Sequence, residues 1–422
     1  MKSYPPYKIF LTFVLVFFFI VLFFLIRSGG KSFIDDLFSS KIGEKHEQEI
    51  AKKSRTPEIP GTLMQSIDDT DPALDPANDY DSYSFPDFIN LKEIEYPAGN
   101  NDILGQLASS LLPFDSCNTQ IRILFYGDSQ LEGDRITAQF RKSLRDQYGG
   151  SGPGMVSLCE PNYPSKSVQY KSSRNWTKHD FLINKKPQAD IGLGTMLSYS
   201  RFEGLTAFVK VSTTSSSAND GLLFDRFRLF IQPGEDEGTV KLLSADSLHA
   251  EWNVSGKEGI VELDFTFPDR IDELTLDFEN MEGASMMGLS MESVSGVQVD
   301  NIAHRGSAGL EFSRDKTNSF MRMADMILPD LIILHFGINV VPAKSDDFSY
   351  YGRMLQNEIL LLQDRIPDVP VLLIGVSDMG HTVQGVANRY AAVELVNEIQ
   401  REVARKTGAA FFDLFNFPFK HA

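Results

Sequence analysis

The hydrophobic period of this chain changes twice between Ile121 and Asp413, and that change restricts its architecture more than any other property. Ile121-Arg-Ile-Leu-Phe-Tyr126 is a mostly apolar run, and Ile136, Phe140 and Leu144 then recur every four residues, the stripe of an amphipathic helix. From about 155 to 296 the period becomes two. Val261-Glu-Leu-Asp-Phe-Thr-Phe267 and Leu274-Thr-Leu-Asp-Phe278 alternate cleanly, and Thr206 to Val211 and Leu223 to Ile231 read as further strands. Short half-polar strands with turns such as Pro233-Gly234, and no helical stripe among them, predict an antiparallel sandwich. The helical period then returns. Val297 to Asn301, Leu331 to Phe336, Val371 to Ile374 and Ala409 to Asp413 read as strands. Tyr351, Leu355, Ile359, Leu362 and Ile366 mark a helix closed by Pro367, and Ala392, Val396, Ile399 and Val403 mark another ending near Gly408. Strand–helix alternation with short links predicts a parallel sheet flanked by helices. The expected fold is therefore α/β, with one domain over 101–160 and 297–422 and an inserted β-sandwich over 161–296.

Ahead of these lies a different kind of sequence. Ile9 to Ile26 is 18 residues long with Thr12 as its one polar member. As a helix it spans roughly 27 Å, close to a bilayer core. It is long and bulky for a cleaved signal and lacks an Ala-x-Ala site, so residues 1–31 are expected to be a transmembrane anchor. Residues 32–100 are rich in acid and proline, as in DDTDPALDPANDYD, and are expected to be an acidic disordered linker. A short amino tail before a large following domain predicts a single-pass protein of the inner membrane whose body faces the periplasm or exterior. The chain holds 40 Lys+Arg against 57 Asp+Glu, and the first 34 residues carry four of the basic residues and no acid. The remainder, with 36 basic against 57 acidic residues, bears a charge of −21, which disfavours a nucleic-acid partner.

Three polar motifs fall at the carboxyl ends of predicted parallel strands, where ligands of such sheets bind: Gly127-Asp128-Ser129, Asn301-Ile-Ala-His-Arg-Gly306 and Gly337-Ile338-Asn339. A serine at a strand-to-helix turn is exposed enough to act as a nucleophile. A glycine lets its N–H approach a ligand, and an asparagine amide is a neutral donor, so together they supply an oxyanion hole. The glycine-rich stretch Gly149 to Gly154 has no P-loop spacing and reads as a connector. Two cysteines exclude a four-thiolate zinc site, no His/Asp cluster has ligand spacing, and no cofactor is expected.

These motifs resemble the blocks of the SGNH, or GDSL, hydrolase superfamily: Phe125 to Ser129, Asn301 to Gly306, and Gly337-Ile-Asn339, with Val340 where a second acid usually stands. The resemblance covers about 105–160 and 297–415. It implies Ser129 as nucleophile and the Gly306 N–H and Asn339 amide as oxyanion donors. The string GDSQLEGDRITAQFRKSLRDQYGGSGPG, the inserted sandwich and the anchor are similar to bacterial cell-envelope acetylesterases, with peptidoglycan O-acetylesterases the nearest group. The function implied is a serine esterase removing O-acetyl groups from an envelope glycan. Its alternatives are a glycan O-acetyltransferase or a non-catalytic glycan-binding envelope protein.

One block of that pattern is absent. The superfamily places Asp-x-x-His after the fifth strand, whereas here Asp413 is followed by nine residues and His421 has no Asp three positions before it. The expectation is a carboxy-terminal truncation of a longer enzyme, or an inactive chain. Asp378-Met-Gly-His381 has the spacing but follows the fourth strand, and reads foremost as a loop aspartate and a solvated histidine. His304 reads equally as a loop contact or a site residue, and His335 as a core or edge histidine. Cys117 and Cys159 flank the first motif and are either one disulfide or two buried thiols. Trp176 and Trp252 read as sandwich core ahead of sugar-stacking platforms.

Overall fold

The computed structural model describes residues 94–97, 103–105, 119–159, 165–182, 188, 190–214, 222–256, 259–343, 347–383 and 386–417. The apolar run at 9–26, the linker up to residue 93, Cys117 and His421 lie outside them, and none of the described helices is long and apolar enough to cross a membrane.

Chain order begins with β1 (Gln120–Gly127) and helix α1 (Thr137–Tyr148), which stops where Gly149 turns to a φ of +69° and donates its N–H to Arg145 O. Eleven strands follow: β2 (Gly154–Val156), β3 (Val168–Ser172), β4 (Trp176–His179), β5 (Tyr199–Phe202), β6 (Thr206–Thr213), β7 (Phe224–Gln232), β8 (Gly238–Ser244), β9 (Ser247–Val254), β10 (Val261–Ile271), β11 (Glu273–Glu279) and β12 (Ser285–Glu292). The helical period resumes with β13 (Gly296–Ala303), α2 (Ser319–Ile327), β14 (Leu331–His335), α3 (Ser349–Arg365) and β15 (Val371–Ile374). A hairpin of β16 (Gly380–Val383) and β17 (Val386–Arg389), then α4 (Ala392–Thr407) and β18 (Ala410–Phe412), complete the described elements.

β13, β1, β14, β15 and β18 form one parallel sheet in that order. Its strands are buried on both faces, which is why they read as continuous apolar runs. Phe320, Leu355, Ile359 and Val396 of α2, α3 and α4 cover one face, together with Leu124, Tyr126, Ile332 and Leu334 from the sheet. Ile136, which precedes α1, and Phe140 and Leu144 of that helix cover the other, against Ile123, Phe125, Val299 and Ile333.

The strands between β1 and β13 form two antiparallel sheets, β10-β7-β12-β5-β4 with β2 added to β12, and β3-β6-β11-β8-β9. Phe227, Leu229, Val209, Leu242, Leu276 and Phe278 fill the space between them. The first of these sheets is covered on its second face too: Phe230 and Met287 join Phe320 and Met323 of the α/β body. Double coverage removes the period-two signal from β12, all of whose residues are buried.

The glycine-rich connector is docked rather than loose. A Cβ on Gly152, whose φ is +88°, would lie 2.3 Å from Met291 O, so this approach demands glycine. It delivers β2 to pair with β12, Met155 opposite Ser290. Beneath this junction Arg122 of β1 is fully buried between two carboxylates, Glu292 of β12 and Asp300 of β13, the latter at 2.7 Å. Asp300 also accepts from Met155 N at 2.8 Å.

Of the stretch expected to be a linker, the structure describes residues 94–97. The Glu95 N–H donates to Phe411 O at 2.8 Å and the Glu95 carbonyl accepts from Phe411 N at 2.9 Å, adding an antiparallel bridge to the β18 edge. Ile94 and Tyr96 pack on the core and Arg401 holds the Glu95 carboxylate at 3.0 Å. Apolar residues alternating with an acid suit a sheet edge, which gains its missing hydrogen bonds in exchange. Glu95→Pro removes the bridge donor and is expected to lower stability by about 1 kcal/mol, read as a shift of the urea midpoint.

Candidate active site

The register of the parallel sheet decides what meets at its carboxyl edge. Gly127 of β1 stands opposite Ala303 of β13 on one side and His335 of β14 on the other. Ser129 lies two residues beyond Gly127, Gly306 three beyond Ala303, and Asn339 four beyond His335. The three predicted site residues therefore belong to adjacent loops.

Hydrogen bonds stitch these loops together. His304 N donates to Gly127 O at 2.8 Å, and Asn301 Nδ2 donates to Leu131 O at 3.2 Å, binding the β13 end to the Ser129 turn. Asn339 Nδ2 donates to Ser307 O at 2.8 Å, joining the Gly306 and Asn339 loops. Ser307 is fixed in turn by its hydroxyl, which donates to the buried Glu311 at 2.5 Å. A fourth loop joins from β15, where Ser377 Oγ accepts from Gln130 Nε2 at 2.7 Å. A carboxamide carries two N–H donors, and the Ser307 bond engages one of those on Asn339.

The turn itself is crowded beneath and open above. A Cβ on Gly127 would sit 2.6 Å from the Leu131 side chain and 2.9 Å from His335 O, so only glycine fits under the Ser129 turn. Gly306 takes φ +82° with nothing within 4 Å of its would-be Cβ, leaving its backbone conformation as the reason for glycine there. Ser129 is partly exposed; its carbonyl accepts from Arg135, and its Oγ makes no hydrogen bond among the described residues. Asp128 is buried with Oδ1 accepting from Gln130 N at 2.9 Å and Oδ2 unpartnered. Burial pushes its carboxyl up to about 7, against the opposing pull of the Gln130 N–H and Arg135.

The histidines separate clearly. His335 is wholly buried in β14, where burial lowers it to about 3. His304 hydrogen-bonds Met196 O at 3.0 Å through Nε2, and burial, followed by the Lys178 charge, lowers it to about 4. The Asp378-to-His381 string lies in the loop and hairpin after β15, but its residues serve different partners: Asp378 is exposed and pairs with Arg389 at 2.9 Å, while the His381 ring packs on Tyr390 at 4.2 Å. Asp413, the residue after β18, is buried and accepts from Asn397 at 3.0 Å and from Arg401.

The remaining candidates are structural. Among the described residues Cys159 is a buried thiol with no disulfide partner, and burial pushes it above its ordinary value. Trp176 packs edge-on against Phe202 and Phe278 and donates to Phe208 O at 3.2 Å, and Trp252 stacks on Phe227. Among the described residues no group of three His, Cys, Asp or Glu side chains is placed to hold a metal. Sequence reasoning placed Asn301 at the head of a motif without its bond to Leu131 O, and missed the linking roles of Gln130, Ser377 and Glu311. Their partners are distant in the chain or need a known turn geometry, and no period or spacing marks them.

No family model and no curated protein matches the sequence. Among solved structures, a peptidoglycan O-acetylesterase superimposes with a TM-score of 0.60 at 18% identity, covering 76% of this chain and 86% of that one. A family two carbohydrate esterase from Cellvibrio japonicus aligns over 60% of this chain and 85% of its own at 10% identity, with a TM-score of only 0.21. An acetyl xylan esterase, AlAXEase, aligns at 20% identity over 28% of this chain and 59% of its own, with a TM-score of 0.22. Of the three, the first alone is a likeness of fold, and it spans sheet and insert together: the chain shares the architecture of a solved peptidoglycan O-acetylesterase.

Proposed function

We propose that this chain is a serine esterase of the SGNH type that removes O-acetyl groups from a cell-envelope glycan, tethered to the membrane by residues 9–26 with its body in the periplasm or outside the cell. The observation that carries the reading is the stitching of three adjacent loops, with Asn301 and His304 bonded to the Ser129 turn and Asn339 bonded to Ser307. In that arrangement Ser129 Oγ attacks the acetyl carbonyl, and its proton passes to a base. The Gly306 N–H and the second N–H of Asn339 receive the developing oxyanion. The sugar hydroxyl leaves with a proton, and water then releases acetate from the serine. The fold shared with a peptidoglycan O-acetylesterase supports the choice of substrate class.

The test is acetate release from O-acetylated peptidoglycan together with mass spectrometry after a serine-directed phosphonate. Acetate should appear, and the label should sit on the peptide containing Ser129. Absence of both would end the reading. Asn339→Ala is expected to lower kcat about 10²- to 10³-fold with little change in KM, as for removal of one oxyanion donor.

A second reading has one observation in its favour. Ser129 Oγ has no hydrogen-bonded base among the described residues, and Asp378 is committed to Arg389. On that reading the chain binds glycan without turning it over. Glycan binding with no acetate released, and unaffected by Ser129→Ala, would establish it; transfer of acetyl to an added acceptor sugar would instead identify a transferase.

A further inference from the structure

A cavity of about 430 Å³ lies between the carboxyl end of β13 and the insert strands β3 and β4. Tyr170 of β3, Trp176 and Lys178 of β4, and Asn301 and His304 of the β13 end all line it. Glu132 and Arg305 line it too, bonded to each other at 2.9 Å. They stand three residues after Ser129 and one before Gly306. Arg135 extends the link, donating to the carbonyls of both Ser129 and Glu132. The cavity therefore shares a wall with the Ser129 turn, yet none of the catalytic roles assigned above uses it.

Its charges cancel. Arg141 pairs with Asp134 at 2.7 Å, Arg305 with Glu132, and Lys178 feels the Asp180 carboxylate. His304 adds no charge at pH 7, since burial lowers it to about 4. Three cations balanced by three anions offer no net attraction for an ion of either sign. Ser157, Ser165 and Ser198 add hydroxyls to the lining, of which Ser165 Oγ already accepts from Ser167 N and keeps its O–H to donate, and Ser198 Oγ already donates to Met196 O and keeps its lone pairs to accept; Tyr170 adds a ring. The volume falls within the range of small-molecule sites, and hydroxyl groups beside aromatic surface suit a ring with polar edges and apolar faces.

We infer that this cavity is a subsite for one uncharged, hydroxyl-rich sugar ring of the glycan whose ester reaches Ser129. The direction toward Ser129 rests on the esterase reading, whereas the binding does not. Calorimetric titration of the Ser129→Ala protein with N,N′-diacetylchitobiose, a neutral disaccharide, is expected to show one saturable site. Ser165→Trp, which fills the cavity, should weaken that binding about tenfold or more. Lys178→Gln, which upsets the charge balance at a similar side-chain length, should weaken it by a smaller but measurable factor and decides the matter if the Trp variant does not fold. On an O-acetylated glycan, Ser165→Trp should raise KM by about the same tenfold while kcat stays within about threefold. Lack of disaccharide binding, or binding unaltered by both substitutions, overturns the inference and leaves the esterase reading standing. Disaccharide binding without acetate release by the wild type does the reverse.

Discussion

Ser129→Ala is expected to eliminate acetate release, lowering kcat by about three orders of magnitude or more. The expected size follows from the chemistry: without Oγ no acyl-serine forms, and only the oxyanion donors and substrate binding remain to accelerate attack by water. The structure also predicts what the substitution leaves intact. Ser129 is partly exposed, its Oγ makes no hydrogen bond among the described residues, and its carbonyl bond to Arg135 survives in alanine. Thermal unfolding of the two proteins should therefore coincide. A variant that loses activity and stability together would show that the hydroxyl supports the turn, and one that keeps full activity would remove Ser129 from the mechanism.

The largest expected effect on stability comes from Arg122→Met. Its guanidinium is wholly buried against Glu292 and Asp300, and removing it takes the nearest cation from two buried carboxylates, leaving Glu292 only Arg226 and Arg228 at 3.7 Å. The cost of breaking such a pair from one side is about 3–5 kcal/mol, measurable by urea unfolding. A pH dependence accompanies it. Burial by itself would raise the Glu292 carboxyl, but Arg122 and Arg228, with the hydrogen bonds from Ser290 and Arg122, outweigh burial and hold it at about 2. A folded value below the ordinary 4.5 means that the stabilisation is fully present above that value and drains away as the pH falls toward 2. Wild-type protein should thus lose more stability than Arg122→Met between pH 7 and pH 3. Equal losses would show that the pair contributes nothing to acid sensitivity.

Most of the α/β body was legible because its signals are periodic. The runs at 121–126, 331–336 and 371–374 and the stripes of α1, α3 and α4 each extend over several residues, and the structure places a strand or helix on every one. Short or doubly covered elements left no such trace. β2 has three residues, β12 is buried on both faces, and the β16–β17 hairpin lies within a stretch read as a loop. The single bridge at Glu95 depends on a partner more than three hundred residues away. The site shows the same division. Gly127, Ser129, Gly306 and Asn339 were visible as residue types at strand ends. Asp378 and His381 have the Asp-x-x-His spacing but read foremost as a loop aspartate and a solvated histidine; the structure sets the exposed aspartate against Arg389 and the His381 ring on Tyr390.

The bridge at Glu95 also governs how load enters the molecule. A pull arriving from residues before Ile94 is delivered to the β18 flank, where two backbone bonds and the Arg401 contact resist it. β13, against which the insert is docked, is the opposite margin of the sheet, four inter-strand steps and roughly 19 Å away. A load entering there reaches the margin that carries the insert only through the intervening strands, and it would peel Glu95 from β18 before it distorted the Ser129 turn.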